Sequence, residues 1–337
     1  VRVARLHGIE DVRLSEEDVP VPGPGESLVR VEAVGLCGSD LHWFGQGGIG
    51  DAVVERPVVP GHELAGTAVT GPHEGRLVAV DPAIPCGRCA LCREGHRNLC
   101  PTVQFSGHGT LDGGLRQFMA WPTDLLTPLP EGMTAADGAV LEPLGVALHA
   151  WDLSHARAGA TVAVVGCGPL GLLLVQLALA CGAARVIAVE ALEHRRAAAR
   201  RCGAGAVLAP DEARDPAVWQ RIAGDGCDVS FEVCGSDETV RTALLAARPG
   251  ARVLLVGIPD DDRSSFPAGL ARRKGLTLVL VRRMKEMHAR TVGLVASGRI
   301  DVRSVVSATH SLDDAPRAFA AAVARQGLKI VIDPQRP

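Results

Sequence analysis

The sequence predicts an α/β chain, with a compact, mainly β region first and a doubly wound parallel sheet after it. Three observations carry that expectation. Glycine and proline punctuate the chain at short intervals as far as about Pro130, with no long helical period. From Ala150 the composition shifts to β-branched and alanine-rich runs. Between Thr161 and Glu190 the order is strand, glycine turn, helix, strand, acid, which is the unit that binds dinucleotides.

The whole chain sets outer bounds. Its 337 residues suffice for two domains with separate cores, divided here as 1–145 and 146–281. With 35 basic and 38 acidic side chains, it lacks the electrostatic footprint of a nucleic-acid binder. The first residues contain no apolar segment of the signal-peptide kind, so a soluble cytoplasmic protein is the default expectation. The sequence has no tyrosine, which excludes any mechanism that protonates a substrate through a tyrosine hydroxyl.

Residues 1 to about 35 read as β structure. Val29, Val31 and Ala33 alternate with Arg30 and Glu32, the pattern of a half-buried strand. A turn-rich stretch from Pro20 to Gly25 precedes it. Cys37-Gly38-Ser39-Asp40-Leu41-His42 follows, and then Pro60-Gly61-His62-Glu63. Thiolate, imidazole and carboxylate are the side chains of an open catalytic zinc site, so Cys37, His62 and Glu63 are candidate ligands if they converge.

Cys86, Cys89, Cys92 and Cys100 are spaced C-x2-C-x2-C-x7-C, with Gly87 and Gly95 letting the chain fold round a small centre. Four thiolates with no open position describe a structural zinc. An iron–sulfur cluster is the competing reading, since the first spacings and Pro101 suit one, although the last spacing is long and no second cysteine set follows. Disulfides are disfavoured in a reducing compartment.

In the glycine turn, Gly166 makes the tight bend, Gly168 admits a pyrophosphate and Gly171 lets the helix sit close on the strand. Pro169 and Leu170 form the first helical turn, whose unpaired N–H groups face the phosphates. Glycine and proline break the apolar run mid-way, which argues against a membrane span. Glu190 falls 19 residues after Gly171, where a carboxylate meets the adenosine ribose. A 2′-phosphate there would be repelled by about 4 kcal/mol per charge pair, which favours NAD(H) over NADP(H). Arg195 can touch the ribose, and the basic run Arg195, Arg196, Arg200 and Arg201 is the feature that could accept a 2′-phosphate instead.

Further strands are expected at Ala206–Leu208, Asp228–Glu232, Arg252–Val256 and Leu276–Val281, with a helix from about Pro216. Val256 and Gly257 stand at a strand end, where such a sheet holds the nicotinamide edge. Cys167, Cys181, Cys202, Cys227 and Cys234 fit no ligand spacing and are read as small packing residues. Helices are expected near Met284–Ser297 and Ala315–Arg325, and a last strand at Leu328–Ile332.

Over essentially its full length the chain resembles the zinc-dependent medium-chain alcohol dehydrogenases. The residues that carry the likeness are Cys37-Gly38-Ser39-Asp40, Gly61-His62-Glu63, the four-cysteine lobe at about 86–100 and the glycine turn, in the family's order. Gly38-Ser39-Asp40-Leu41-His42, Gly48-Ile49-Gly50-Asp51 and Leu141-Glu142-Pro143-Leu144, with Ala147 and His149 beyond, resemble its polyol branch of sorbitol, xylitol and idonate dehydrogenases.

The resemblance implies a GroES-like catalytic domain and a Rossmann domain, with residues 282–337 returning to the first. It also implies two zinc ions per chain, a small alcohol substrate, no nucleic-acid or membrane partner, and a homotetramer or homodimer. In that branch the glutamate matching Glu142 replaces a cysteine ligand; Glu63 is expected as the third ligand here, with Glu142 holding the zinc's water or exchanging with Glu63. Asp40 would orient His62, and Ser39 and His42 would lead the hydroxyl proton to solvent. Trp43, Phe44 and Phe105 are candidates for the substrate pocket. An arginine followed by tyrosine meets the substrate in the polyol enzymes; here Arg282 is kept, and Arg283 stands in the tyrosine's place. Arg282, Arg283 and Lys285 could instead hold a phosphate or carboxylate, and threonine-, amino-cyclitol- or sugar-phosphate-type dehydrogenases share the scaffold.

Overall fold

The computed structural model describes residues 1–50, 52–109 and 111–336, so Asp51 of the polyol-like segment lies outside the described residues. The chain divides into two compact units. One comprises Val1–Gly145, Lys285–Ser297 and Val302–Pro337; the other comprises Val146–Met284 and Gly298–Asp301. The first change of unit, after Gly145, falls inside the helix Leu141–Ser154.

The first unit is built on a mixed sheet. Its strands run in the order Leu126–Pro128, Leu77–Val80, Glu63–Ala68, Glu26–Gly35, Lys329–Asp333 and Val306–Ser311, and Phe118–Pro122 also pairs with Glu26–Gly35. The central strand Glu26–Gly35 alternates half-buried and buried residues, because its inward set includes Val29, Val31 and Ala33. Val29 and Val31 join Leu64, Val78, Val80, Leu115, Trp121, Phe319 and Ile332 in one core, while Ala33, past an irregularity in the pairing, packs with Ala139 and Val331. Phe44, a pocket candidate, belongs to that core instead, since its ring packs 5.0 Å from that of Phe319.

The second unit holds a parallel sheet in the order Ala206–Leu208, Arg185–Val189, Thr161–Val165, Cys227–Glu232, Ala247–Leu255 and Thr277–Leu280. Strand order reverses beside Thr161–Val165, which is the switch point of a doubly wound fold. The interior strands are buried almost continuously, as strands covered on both faces must be. Helix Pro169–Ala180 covers Thr161–Val165 and Arg185–Val189. Among the described residues no helix is long and apolar enough to cross a membrane.

Two sequence expectations need correction. The helix expected near Met284–Ser297 occupies only His288–Ala296, after an irregular stretch over 284–287 that bends at Glu286. Of the cysteines read as packing residues, Cys167 and Cys227 are buried and Cys181 and Cys202 half-buried, but Cys234 is exposed. Cys234 lies just past the end of strand Cys227–Glu232, where the chain leaves the sheet, with its Sγ 3.6 Å from Val165 O.

Candidate active site

Strand register brings the first candidate cluster together. Gly35 pairs with Glu63 at the meeting of two antiparallel strands, so Cys37 and His62 emerge side by side from their ends. Cys37 caps helix Gly38–Gln46, and its N–H donates to Asp40 Oδ2 at 2.9 Å. The ligand atoms of Cys37, His62 and Glu63 all lie within 4.8 Å of one another, a spacing that ligands at 2.0–2.3 Å from one zinc ion can adopt.

The surroundings are buried and charged. His62 Nδ1 and Asp40 Oδ1 face each other at 3.4 Å without the alignment of a hydrogen bond. Glu63 is buried as well, and its Oε2 lies 2.6 Å from the Lys329 ammonium. A thiolate, an imidazole and a carboxylate converging this closely in a buried site form a donor set that fits a metal ion. Burial works against charge on His62, but Asp40 and Cys37 outweigh it and hold its pKa well above the usual value. Burial likewise opposes ionisation of Asp40, and His62 outweighs it, keeping that carboxyl below the usual range. Glu142, second residue of helix Leu141–Ser154, is buried and pushed up to about 7, by burial first, with His62 opposing and Glu63 adding.

The remaining first-unit candidates surround this cluster. Ser39 is buried with its Oγ 3.4 Å from His62 Nε2. His42 Nδ1 lies 3.1 Å from Gln46 Oε1 on the half-buried face of the helix. Phe105 and Trp43 are buried beside histidines, Phe105 with its ring 5.2 Å from His62 and Trp43 5.3 Å from His108.

Two neighbours of this cluster were missed in the sequence. His108 shares a second close group with Asp40 and His62, and its ring stands 5.1 Å from that of His62. Lys329 donates to Glu63 Oε1 at 2.7 Å. A lysine set between Leu328 and the apolar run Ile330-Val331-Ile332 was the signal available for Lys329; His108, between two glycines, offered none.

The sulfur atoms of Cys86, Cys89, Cys92 and Cys100 also lie within 4.8 Å of one another. Backbone N–H groups donate into the cluster at 3.4 Å, from Cys86 to Cys100 Sγ, from Cys89 to Cys86 Sγ and from Cys92 to Cys89 Sγ. The N–H groups of Arg88 and Cys89 draw the Cys86 thiol down to about 6, while burial pushes Cys92 up to about 12.

In the second unit the glycine turn is tightly made. Any Cβ on Gly171 would overlap the Gly166 carbonyl oxygen, so the helix can approach its strand only with glycine there. A Cβ on Gly168 would meet nothing nearer than Arg195 Nη1 at 3.7 Å, which leaves open space over the N-terminus of helix Pro169–Ala180. Arg195 therefore stands beside the turn. Pro169 and Leu170 are half-buried in the first helical turn.

Glu190, buried at the end of strand Arg185–Val189, accepts from Cys167 N–H at 2.8 Å and Leu192 N–H at 2.9 Å. Val256 N–H and Gly257 N–H both donate to the Glu232 carbonyl. Arg282 is exposed beyond strand Thr277–Leu280.

Comparison with known proteins places these features in a family. The model of the alcohol dehydrogenase GroES-like domain matches residues 23–131, and that of the zinc-binding dehydrogenases matches residues 169–297. The chain is 31% identical to sorbitol dehydrogenase of Bacillus subtilis over 345 aligned positions, covering 100% of this chain and 98% of that one. It is 34% identical to D-xylulose reductase A of Aspergillus niger, covering 97% and 95%. Its fold matches L-idonate 5-dehydrogenase of Escherichia coli with a TM-score of 0.92 at 28% identity, over 98% and 97% of the chains. A zinc-binding dehydrogenase of Sinorhizobium meliloti, solved with NADP bound, matches at 0.89 and 32%, over 99% of each. The chain belongs to the zinc-dependent medium-chain dehydrogenases, in their polyol-dehydrogenase branch, and is an oxidoreductase of alcohol groups that works with zinc and a nicotinamide cofactor.

Proposed function

We propose that this protein oxidises a secondary hydroxyl of a polyol to the ketose with NAD, in the manner named by its sorbitol, D-xylulose and L-idonate relatives. The observation that carries the reading is the convergence of Cys37, His62 and Glu63, whose ligand atoms all lie within 4.8 Å of one another. Zinc, when bound, supplies Lewis acidity that eases loss of the hydroxyl proton.

The chain's own residues do the rest. Asp40 faces His62 Nδ1 and so fixes the ring with Nε2 toward the site. Ser39, beside Nε2, takes the hydroxyl proton and passes it to His42 and solvent, while the substrate's hydride goes to the nicotinamide. Glu63 would complete the metal's ligand set, and Glu142 supplies a second buried carboxylate near it. Trp43 and Phe105 wall the substrate.

Gly166, Gly168, Pro169, Leu170 and Gly171 receive the pyrophosphate, Glu190 and Arg195 the ribose, and Val256 and Gly257 the nicotinamide edge. The carboxylate at 190 favours NAD over NADP. A second zinc belongs to Cys86, Cys89, Cys92 and Cys100. The protein works in the cytoplasm as a homodimer or homotetramer.

Initial rates over sorbitol, xylitol, idonate, inositols, galactitol phosphate and threonine, each with NAD and NADP, test this reading. Turnover of a polyol with NAD is expected. Turnover confined to threonine overturns the substrate class, and NADP used as well as NAD overturns the role of Glu190.

A further inference from the structure

The side chains read as zinc ligands do not exhaust the cluster around His62. Asp40 lies in the first turn of helix Gly38–Gln46, where its Oδ2 accepts from the Cys37 N–H at 2.9 Å. Its Oδ1 is buried, has no hydrogen-bond donor, and faces His62 Nδ1 at 3.4 Å. That nitrogen is buried too and makes no hydrogen bond. His108 joins them from the turn after strand Gln104–Phe105, where its backbone N–H donates to the Phe105 carbonyl at 3.1 Å. A Cβ on Gly107 would meet Gly61 N at 2.7 Å, so glycine lets the segments carrying His62 and His108 lie against each other. The His108 ring packs 5.3 Å from Trp43 and 5.0 Å from Phe105. As a result the ligand atoms of Asp40, His62 and His108 all lie within 4.8 Å of one another.

We propose that Asp40, His62 and His108 form a second seat for a divalent cation, one without sulfur, that competes with the Cys37 seat for His62. Two ligands about 2.1 Å from one tetrahedral ion stand about 3.4 Å apart. Asp40 Oδ1 and His62 Nδ1 have that separation, which is beyond the usual N–H···O range of about 2.7–3.2 Å. Two imidazoles and a carboxylate suit manganese, iron or zinc, and not only ions that seek thiolates. Competition follows from the shared ring. A neutral imidazole has one nitrogen with a free lone pair and one that carries a proton. His62 therefore serves the Cys37 seat through Nε2 or the second seat through Nδ1, and an ion in the second seat silences the enzyme. That competition rests on the reading of Cys37, His62 and Glu63 as the zinc site; the second seat itself does not.

Manganese(II) is the probe, because it prefers oxygen and nitrogen to thiolate and so leaves the zinc of the four-cysteine lobe in place. Full-length wild type, Cys37→Ala and His108→Ala, stripped by chelator of all but the lobe's zinc, are titrated with it, and bound ion is read by electron paramagnetic resonance. Wild type and Cys37→Ala should bind one manganese per chain with equal affinity. His108→Ala should bind it at least about 10-fold more weakly, since even a residue that only supports a ligand is worth that much. Wild type refilled with zinc at Cys37 should bind none. Weakening in both variants puts the ion in the Cys37 seat and overturns the proposal. So does binding that is unchanged in His108→Ala, or absent from the stripped wild type. Manganese taken up at full affinity beside zinc overturns the competition for His62. Wild type that accepts zinc in the lobe alone defeats the zinc-site reading, and the competition with it, while His108→Ala still decides the second seat. If His108→Ala fails to fold, His108→Gln, which keeps the bulk and loses the imidazole, takes its place.

Discussion

The four-cysteine lobe and the Cys37–His62–Glu63 cluster stand in the same unit and are built on opposite plans. The lobe is local. Its four sulfurs come from one short stretch, and neighbouring backbone N–H groups donate to them, so little of the fold beyond residues 86–100 is needed to form it. The other cluster is assembled from segments far apart in the chain, and Glu63 meets Lys329 across 266 residues. It can exist only once the central sheet is paired. A closed set of like ligands suits a structural ion, and a mixed set with two carboxylates at hand suits chemistry at an exchangeable position.

That contrast predicts opposite outcomes for single substitutions. Cys37→Ala should lower kcat/KM by roughly 1,000-fold or more, since the Lewis acid is worth several kcal/mol to the reaction. Its unfolding midpoint should change little, because Cys37 is half-buried. Cys89→Ser should do the reverse, costing a few kcal/mol of stability, or roughly 5–10 °C, while the protein that remains folded keeps its kcat. Thermal unfolding and steady-state kinetics on both variants check this. A Cys89→Ser protein of undiminished stability and abolished turnover would reverse the assignment of the two sites.

A smaller effect lies where the chain enters the lobe. Asp81 accepts from Ala83 N–H at 3.0 Å, and its carboxyl is pushed up to about 6, by burial first. Ala83 opposes that shift and Glu286 adds to it. An acid whose folded pKa is raised stabilises the fold below its unfolded pKa, near 4, and loses that contribution as pH climbs to about 6. Two pKa units amount to about 3 kcal/mol, lost at neutral pH. Asp81→Asn keeps an acceptor for Ala83 without the charge. It should therefore be more stable than wild type at pH 8, by up to about 3 kcal/mol, and should match it near pH 4. Denaturant midpoints at the two pH values decide; equal midpoints at pH 8 show that Asp81 ionises there at no cost.

The same division explains what could be read in the sequence. The lobe, the glycine turn with Glu190, and the alternation at Val29, Val31 and Ala33 are short-range patterns, and short-range patterns survive in one dimension. Cys37, His62 and Glu63 could be nominated by type, but their convergence depends on the pairing of Gly35 with Glu63, which no spacing encodes. Lys329 lay hidden for the same reason. Strand Val306–Ser311 was missed because Ser307, Thr309, His310 and Ser311 are polar, which is permissible at a sheet edge and gives no apolar run.

The weakest link between the lobe and the rest of its unit gives the smallest expected effect. Arg97, in the lobe's last turn, pairs with Glu286 at 3.0 Å, tying the lobe to the segment that begins at Lys285. Both side chains are nearly half exposed, at 44% and 49%. Water and salt screen such a pair, so Glu286→Gln should cost no more than about 0.5 kcal/mol. It should also leave the rate at which a chelator strips the lobe's metal unchanged, because the four sulfurs and their N–H donors do not depend on it. Faster stripping in Glu286→Gln, with the unfolding midpoint unmoved, would mean that the lobe takes part of its shape from the returning segment and is less self-contained than its hydrogen bonds suggest.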